Sequence, residues 1–425
     1  MLQTLRNAWR IEEIRKKILF TLLIVLLYRI GNAIPVPFVN TALLQQYFAY
    51  LQNTALGLLD AMSGGSFSNA TIFALSIQPY INASIIIQLL CIAIPALERM
   101  SKEEGEEGRK KIASITRYST VAIGLLQGFG YYMLMKNNGI IVAEAASSVW
   151  AAIIIILTFT SGSALIMWLG EQITEFGVGN GISIILFASI ISRFPNSVIT
   201  TIQNVVNGSL AWWAAVLVFL GALALIVLIV FVNDAERRIP VQYAKRVVGR
   251  KMYGGQSPHL PMKVNMSGVM PIIFASSISS IPATIAAFTG HQDSAWAKTN
   301  TIPYAIIYLL LIIFFAYFYS TIQFNPIEVA NNLKKNGGYI PGFRPGKPTS
   351  EFIQKVLNKI TLFGAIYLGI IAITPILVSH FSNAAALTGL SLGGTSIIIV
   401  VGVALETVRA IEAQMLMRNY KGFLS

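Results

Sequence analysis

About ten runs of close to 20 apolar residues punctuate this chain, at 18–37, 72–97, 112–135, 149–170, 179–203, 211–232, 265–288, 302–324, 359–381 and 390–411. A run of that length crosses the roughly 30 Å hydrocarbon core of a bilayer as a helix. Stretches such as 151–157 and 308–319 are apolar at every position, whereas a membrane barrel strand alternates apolar and polar residues. Helices are the spanning form that remains, because a lipid-exposed backbone has to satisfy its own hydrogen bonds. Composition agrees: 55% of the 425 residues are hydrophobic and only 12% are charged, about half the share usual in soluble domains. The fold expected is an all-α integral membrane protein with ten transmembrane helices.

The charges are unevenly placed. Arg6, Arg10, Arg15, Lys16 and Lys17 precede the first run, and Arg99, Lys102, Arg109, Lys110 and Lys111 separate the second from the third. Arg237, Arg238, Lys245, Arg246, Arg250, Lys251 and Lys263 lie between the sixth and seventh, and Lys334, Lys335, Arg344, Lys347 and Lys355 between the eighth and ninth. The intervening loops hold only Lys136, Arg193 and Lys298, and the stretch 38–71 holds no Lys or Arg. Basic loops stay on the cytoplasmic side, so the pattern predicts both termini there. The first apolar run is long enough to span, so no cleaved signal peptide is expected. One cysteine, Cys91, leaves no internal disulfide.

Several features exceed what a plain bundle needs. Between the first two runs, Leu56 to Met62 reads as a short amphipathic helix, followed by Ser63-Gly64-Gly65-Ser66. It is too short to span and is either a re-entrant segment or an external loop that packs. Gln78-Pro79 and Asn82 interrupt the second run, and a proline there predicts a kink. The seventh run carries Pro271, Ser276, Ser277, Ser279, Ser280 and Pro282. Such small hydroxylated faces serve close helix packing or line a wet path. The two large basic loops suit either an acidic or RNA-bearing partner or the anionic lipid surface.

Catalytic signatures are missing. His259, His291 and His380 lie far apart, and no Gly-x-Ser-x-Gly elbow occurs. Gly342-Phe343-Arg344-Pro345-Gly346-Lys347 has the wrong spacing for a phosphate loop, and its proline would spoil the phosphate-binding turn. No cofactor or metal is expected, and nucleotide energy would have to come from a partner. A polytopic secondary transporter of small solutes is the rival reading, but transporters place ionisable groups near the midplane. Here Arg29 and Glu406 are the exceptions, each toward a span end.

The chain resembles the SecY family, the channel subunits of bacterial protein translocons. The resemblance rests on Arg29-Ile30-Gly31, Ile34-Pro35-Val36-Pro37, Met62-Ser63-Gly64-Gly65, the stretch from Gln78 to Leu90, and Gly108-Arg109-Lys110-Lys111-Ile112. It extends through Trp168 to Glu175, Gly177 to Ser183, Tyr243-Ala244-Lys245-Arg246, His259 to Asn265, Asn325-Pro326, Asn332-Leu333-Lys334-Lys335 and Gly393-Gly394-Thr395-Ser396. Phe38 and Phe176 depart from the family pattern.

The resemblance implies two pseudo-symmetric halves, 1–208 and 209–425, around an hourglass pore that passes unfolded polypeptides or releases helices sideways into lipid. It implies a pore ring at Ile77, Ile81, Ile182, Leu186, Ile273 and Ile399. It implies a plug at about 57–68, including Leu58, Leu59, Asp60, Ala61, Met62, Ser63, Gly64 and Gly65. A lateral gate would involve Asn82, Gln88, Asn265 and Ser276. Arg237, Arg238, Lys245, Arg246, Arg250, Lys334, Lys335 and Arg344 would dock the SecA motor ATPase or the ribosome, in loops at about 233–264 and 325–358. The implied partners are a SecE-like clamp, a SecG-like subunit, SecA, the ribosome, signal sequences with their unfolded preproteins, and lipid. The implied location is the bacterial plasma membrane.

Overall fold

The computed structural model describes residues 2–50, 55–102, 105–208, 211–243, 246–248, 251–253, 259–288, 301–381 and 394–421. Each of the ten apolar runs is occupied by helix. After α1 (Leu2–Arg10) the first run forms α2 (Glu12–Gly31). Two short helices, α3 (Thr41–Tyr50) and α4 (Ala55–Met62), lead to α5 (Gln78–Ala93). Then come α6 (Pro95–Lys102), α7 (Gly105–Asn137), α8 (Ala143–Ala146), α9 (Val149–Phe176), α10 (Gly181–Ile191), α11 (Phe194–Val206) and α12 (Trp212–Asp234). The later part holds α13 (Met270–Phe288), α14 (Ile302–Gln323), α15 (Pro326–Lys335), α16 (Lys347–Phe381) and α17 (Gly394–Lys421).

Local chemistry fixes several boundaries. Asn180 caps α10 by accepting from the amides of Ile182 and Ser183 at 3.1 and 3.4 Å, and Asn325 caps α15 in the same way. Such caps satisfy amides that have no partner within the helix.

The second run departs from expectation. It does not form one helix kinked at Pro79: α5 begins at Gln78, with Pro79 in its first turn, where a missing amide hydrogen costs nothing. The residues just before α5 form turns closed by backbone bonds, and after α4 hydroxyls also bond the backbone. Ser63 Oγ donates to Asp60 O and Ser66 Oγ to Ser63 O, at 3.0 and 2.9 Å. Pro271 likewise falls in the first turn of α13, so Pro282 alone of its prolines is interior. The fifth run is also divided, into α10 and α11, with Pro195 opening the second piece.

Among the described residues, five helical segments are long and apolar enough to cross a membrane, including the combined Gly181–Val206, and α5 is a shorter apolar helix. The outward face of α12 shows how complete the apolar exterior is: Leu217 is 63% and Phe231 74% exposed, and only Ile229, Val232 and Asn233 are buried. Water does not tolerate such a surface, whereas lipid does. One apolar core gathers residues from α2, α4, α5, α9, α10, α12, α13, α14, α16 and α17. A second core fastens α3, α4 and the loop before α5 to α7 and α9.

The basic loops contain strands, which the purely helical expectation omitted. β1 (Glu236–Pro240) pairs antiparallel with β5 (His259–Lys263), with Arg238 opposite Pro261. β3 (Arg246–Val248) pairs with β4 (Lys251–Tyr253). β2 (Gln242–Tyr243) pairs with β6 (Gly338–Tyr339), joining the two loops, and Tyr339 Oη donates to Gln242 Oε1 at 2.8 Å. Beneath them Ile239, Val241, Met262, Leu333, Ile340, Ile353 and Leu357 form a separate core.

Candidate functional site

The six ring candidates all lie in or against the central apolar core. Ile77, Ile81, Leu186, Ile273 and Ile399 are each at most 3% exposed, and they share one apolar cluster with the partly buried Ile182. They come from the start of α5, from α10, α13 and α17, hence from both halves of the sequence. Aliphatic groups make no directional hydrogen bonds, so a dry ring built from them excludes ions without selecting among passing side chains.

The plug candidate lies against this cluster. Met62, at the end of α4, belongs to it, and α4 packs on α10 and α13. Leu59 and Ala61 are partly buried, while the side chain of Leu58 lies outside the described residues. Gly64 has φ +72°, and a Cβ added there would stand 2.7 Å from the carbonyl oxygen of Ser189. Only glycine permits that approach at that dihedral. Asp60, also buried, receives Arg193 Nη2 at 2.9 Å and the amide of Ser68 at 2.7 Å. Tyr131 Oη, fully buried, donates to the carbonyl of Phe67 and pins the far end of the segment.

The seam between α5 and α13 has its own polar contact. Ser277 Oγ donates to Gln78 Oε1 at 3.1 Å, and Gln78 Nε2 points to Met62 Sδ at 3.6 Å. One glutamine therefore touches α13 and α4 from the first turn of α5. Sequence reasoning passed over this pair, although Gln78 and Ser277 stood among the noted interruptions. Three of the four named gate candidates bond elsewhere. Ser276 donates to Ile273 O within its own helix at 2.9 Å, and Gln88 donates to Ser84 at 3.2 Å. Asn265 donates to Asn233 Oδ1 at 2.9 Å, tying α12 to the segment between β5 and α13. Asn82 lines an apolar cavity of about 230 Å³ bounded by Leu59, Ile86, Leu126 and Ile281, and its buried Oδ1 has no partner.

At the opposite end, a polar cavity of about 320 Å³ is lined by Asn180, Asn233, Lys263, Asn265, Glu406 and Arg409. Arg409 Nη2 donates to Asn233 O at 3.0 Å and pairs with Asp234. Burial, and then the charge of Arg409, push the Lys263 ammonium below its ordinary pKa. Beyond it lies the basic surface. Arg237, Arg238, Lys334, Lys335 and Arg344 are all exposed, with Arg238 Nε 2.7 Å from Glu236. Arg344 sits in a turn held by Thr349 Oγ1, which donates to its carbonyl at 2.8 Å, and by Phe343 stacked on Phe352 at 4.2 Å. Lys245 and Arg250 lie outside the described residues, as does the side chain of Arg246.

The model of the SecY family matches residues 71–408. Protein translocase subunit SecY of Streptomyces galbus is 45% identical over 444 residues, covering 100% of each chain. The chain belongs to the SecY family. The Mycobacterium bovis SecY subunit is 43% identical, again over the full length of both. Among solved structures, a protein-conducting channel aligns with TM-score 0.67 at 16% identity, over 95% of this chain and 93% of that one. A second, a SecY channel whose plug domain stabilises its closed state and maintains a membrane seal, aligns with TM-score 0.68 at 16% identity, over 95% and 92%. Canine Sec61 in a ribosome-channel complex from the endoplasmic reticulum aligns at 0.64 and 14% identity, over 95% and 93%. At these identities the structural likeness speaks for the fold, and the SecY subunits at over 40% identity carry the membership.

Proposed function

We propose that this chain is the protein-conducting channel of a bacterial plasma-membrane translocon, passing unfolded secretory polypeptides through its centre and releasing membrane helices sideways into lipid. The observation that carries the reading is the convergence of Ile77, Ile81, Ile182, Leu186, Ile273 and Ile399 in one apolar cluster, with Met62 of the plug candidate in it. Halves 1–208 and 209–425 clamp the ring, and the α5–α13 seam is the side exit. The loop asymmetry supports a cytoplasmic location for both termini and for the basic surface. Arg237, Arg238, Lys245, Arg246, Arg250, Lys334, Lys335 and Arg344 then face a SecA-type motor or the ribosome, and ATP is hydrolysed by the motor rather than by this chain. A SecE-like helix clamps the halves, and a SecG-like subunit attends them.

The test places one cysteine at Ile273 in a Cys91→Ser background. A secretory chain with a single cysteine is stalled in the channel by a SecA-type motor and ATP, then oxidised. A disulfide that requires ATP and the signal sequence supports the reading. Linkage to Ser276→Cys but never to Ile273→Cys sinks the ring assignment alone. Linkage to neither turns the reading toward a solute transporter.

A further inference from the structure

Residues 38–71 contain a single charged side chain, Asp60. It is 5% exposed, in a segment without Lys or Arg of its own. A carboxylate taken out of water needs a cation and hydrogen-bond donors or it destabilises the packed state. Both come from distinct places. The Ser68 amide donates at 2.7 Å from the turn that follows α4, and Arg193 Nη2 reaches Asp60 Oδ2 at 2.9 Å from the break between α10 and α11. Arg193 is one of three basic residues in the loops on that side. The Gly64-Gly65 backbone lies on the same break, with Ser189 O and Ser192 Oγ 2.7 and 3.0 Å from where a Gly64 Cβ would stand. The helix break thus holds a guanidinium beside the plug candidate, and the glycines let the plug lie close enough to take it.

We infer that the Asp60–Arg193 ion pair is a latch that holds the plug in its docked position, and that leaving the pore requires breaking it. The inference rests on reading 58–65 as a plug. Undocking hydrates both partners, so the latch opposes opening without making it irreversible. It adds charge specificity to a contact otherwise made by apolar side chains and hydroxyls.

The experiment uses the full channel in sealed vesicles, with Cys91→Ser and the reporter Ser63→Cys, a buried position. Labelling of residue 63 by a water-soluble maleimide from the outer face is read together with resting ion conductance. Asp60→Asn keeps an acceptor for the Ser68 amide but removes the charge, and Arg193→Ala removes the partner. Each should raise labelling about tenfold, since Arg193→Ala leaves a buried carboxylate without its cation and Asp60→Asn removes the ion pair that holds the segment. The double variant should label no faster than the faster single, because one interaction is removed twice. Arg193→Lys should retain most of the protection, which a general loss of folding would not do. Unchanged labelling in both singles, or additive effects in the double, overturns the latch. Faster labelling without raised conductance keeps the latch but overturns the reading of the segment as the seal.

Discussion

Ser277 Oγ of α13 lies 3.1 Å from Gln78 Oε1 of α5, a hydrogen bond that closes 199 residues of sequence. It is buried, and the same glutamine touches Met62, so the seam and the plug candidate meet at one side chain. A single neutral hydrogen bond contributes about 1 kcal/mol. That is enough to bias a seam and too little to weld it. Separating α5 from α13 removes this contact, while the bonds of Ser276 and Gln88 stay within their own helices.

Ser277→Ala should therefore loosen the seam by about 1 kcal/mol, a roughly fivefold shift toward separation. Membrane insertion of a marginally apolar test helix should rise accordingly, measured as the fraction resistant to carbonate extraction. An unchanged fraction would show that the bond is not at the exit.

Replacing Ile81 and Ile273 together by Gly should open the waist. Both are buried in the shared core, and each substitution removes a whole branched side chain. Resting membranes should become leaky to ions, whereas the Val pair, which keeps most of the volume, should stay tight. Equal conductance of the Gly and Val pairs would remove these residues from the ring.

Much of this architecture was legible in the sequence because membranes impose a simple rule: apolar runs become helices. Helix occupies each of the ten runs among the described residues. The misses share a cause. Pro79 was read as a kink within a helix because its apolar flank continues upstream to residue 72. The structure spends that flank on turns closed by backbone bonds, such as Ser76 N to Phe73 O at 2.8 Å, and places Pro79 in the first turn of α5 instead. The β2–β6 pairing that joins the two basic loops and the Gln78–Ser277 contact depend on partners far apart in sequence, which local periodicity does not encode. The Asp60–Arg193 pair did leave a signal, since a lone acid in an uncharged stretch has to find a cation elsewhere.

Gly64→Ala tests the docking from the backbone side. At φ +72°, with a carbonyl oxygen 2.7 Å from the new methyl group, the substitution brings both dihedral strain and a clash. The cost is about 1–2 kcal/mol or more on the docked state. Protection of Ser63→Cys from an external maleimide should fall while the helices keep their far-ultraviolet dichroism. Full protection would mean that the segment does not depend on this close approach.

Arg344 separates docking from channel function. Its side chain is exposed, and the turn that carries it is held by Thr349 and by the Phe343–Phe352 stack rather than by the guanidinium. Arg344→Glu should thus change stability by no more than about 0.5 kcal/mol. A motor that pushes a chain through the pore needs a firm grip on the basic surface. A helix that partitions into lipid needs the seam, which lies on the other side of the polar cavity. Motor-driven export should consequently fall several-fold more than insertion, with each rate measured in the same vesicles. If the two fall together, Arg344 supports the structure of the loop instead of contacting the motor.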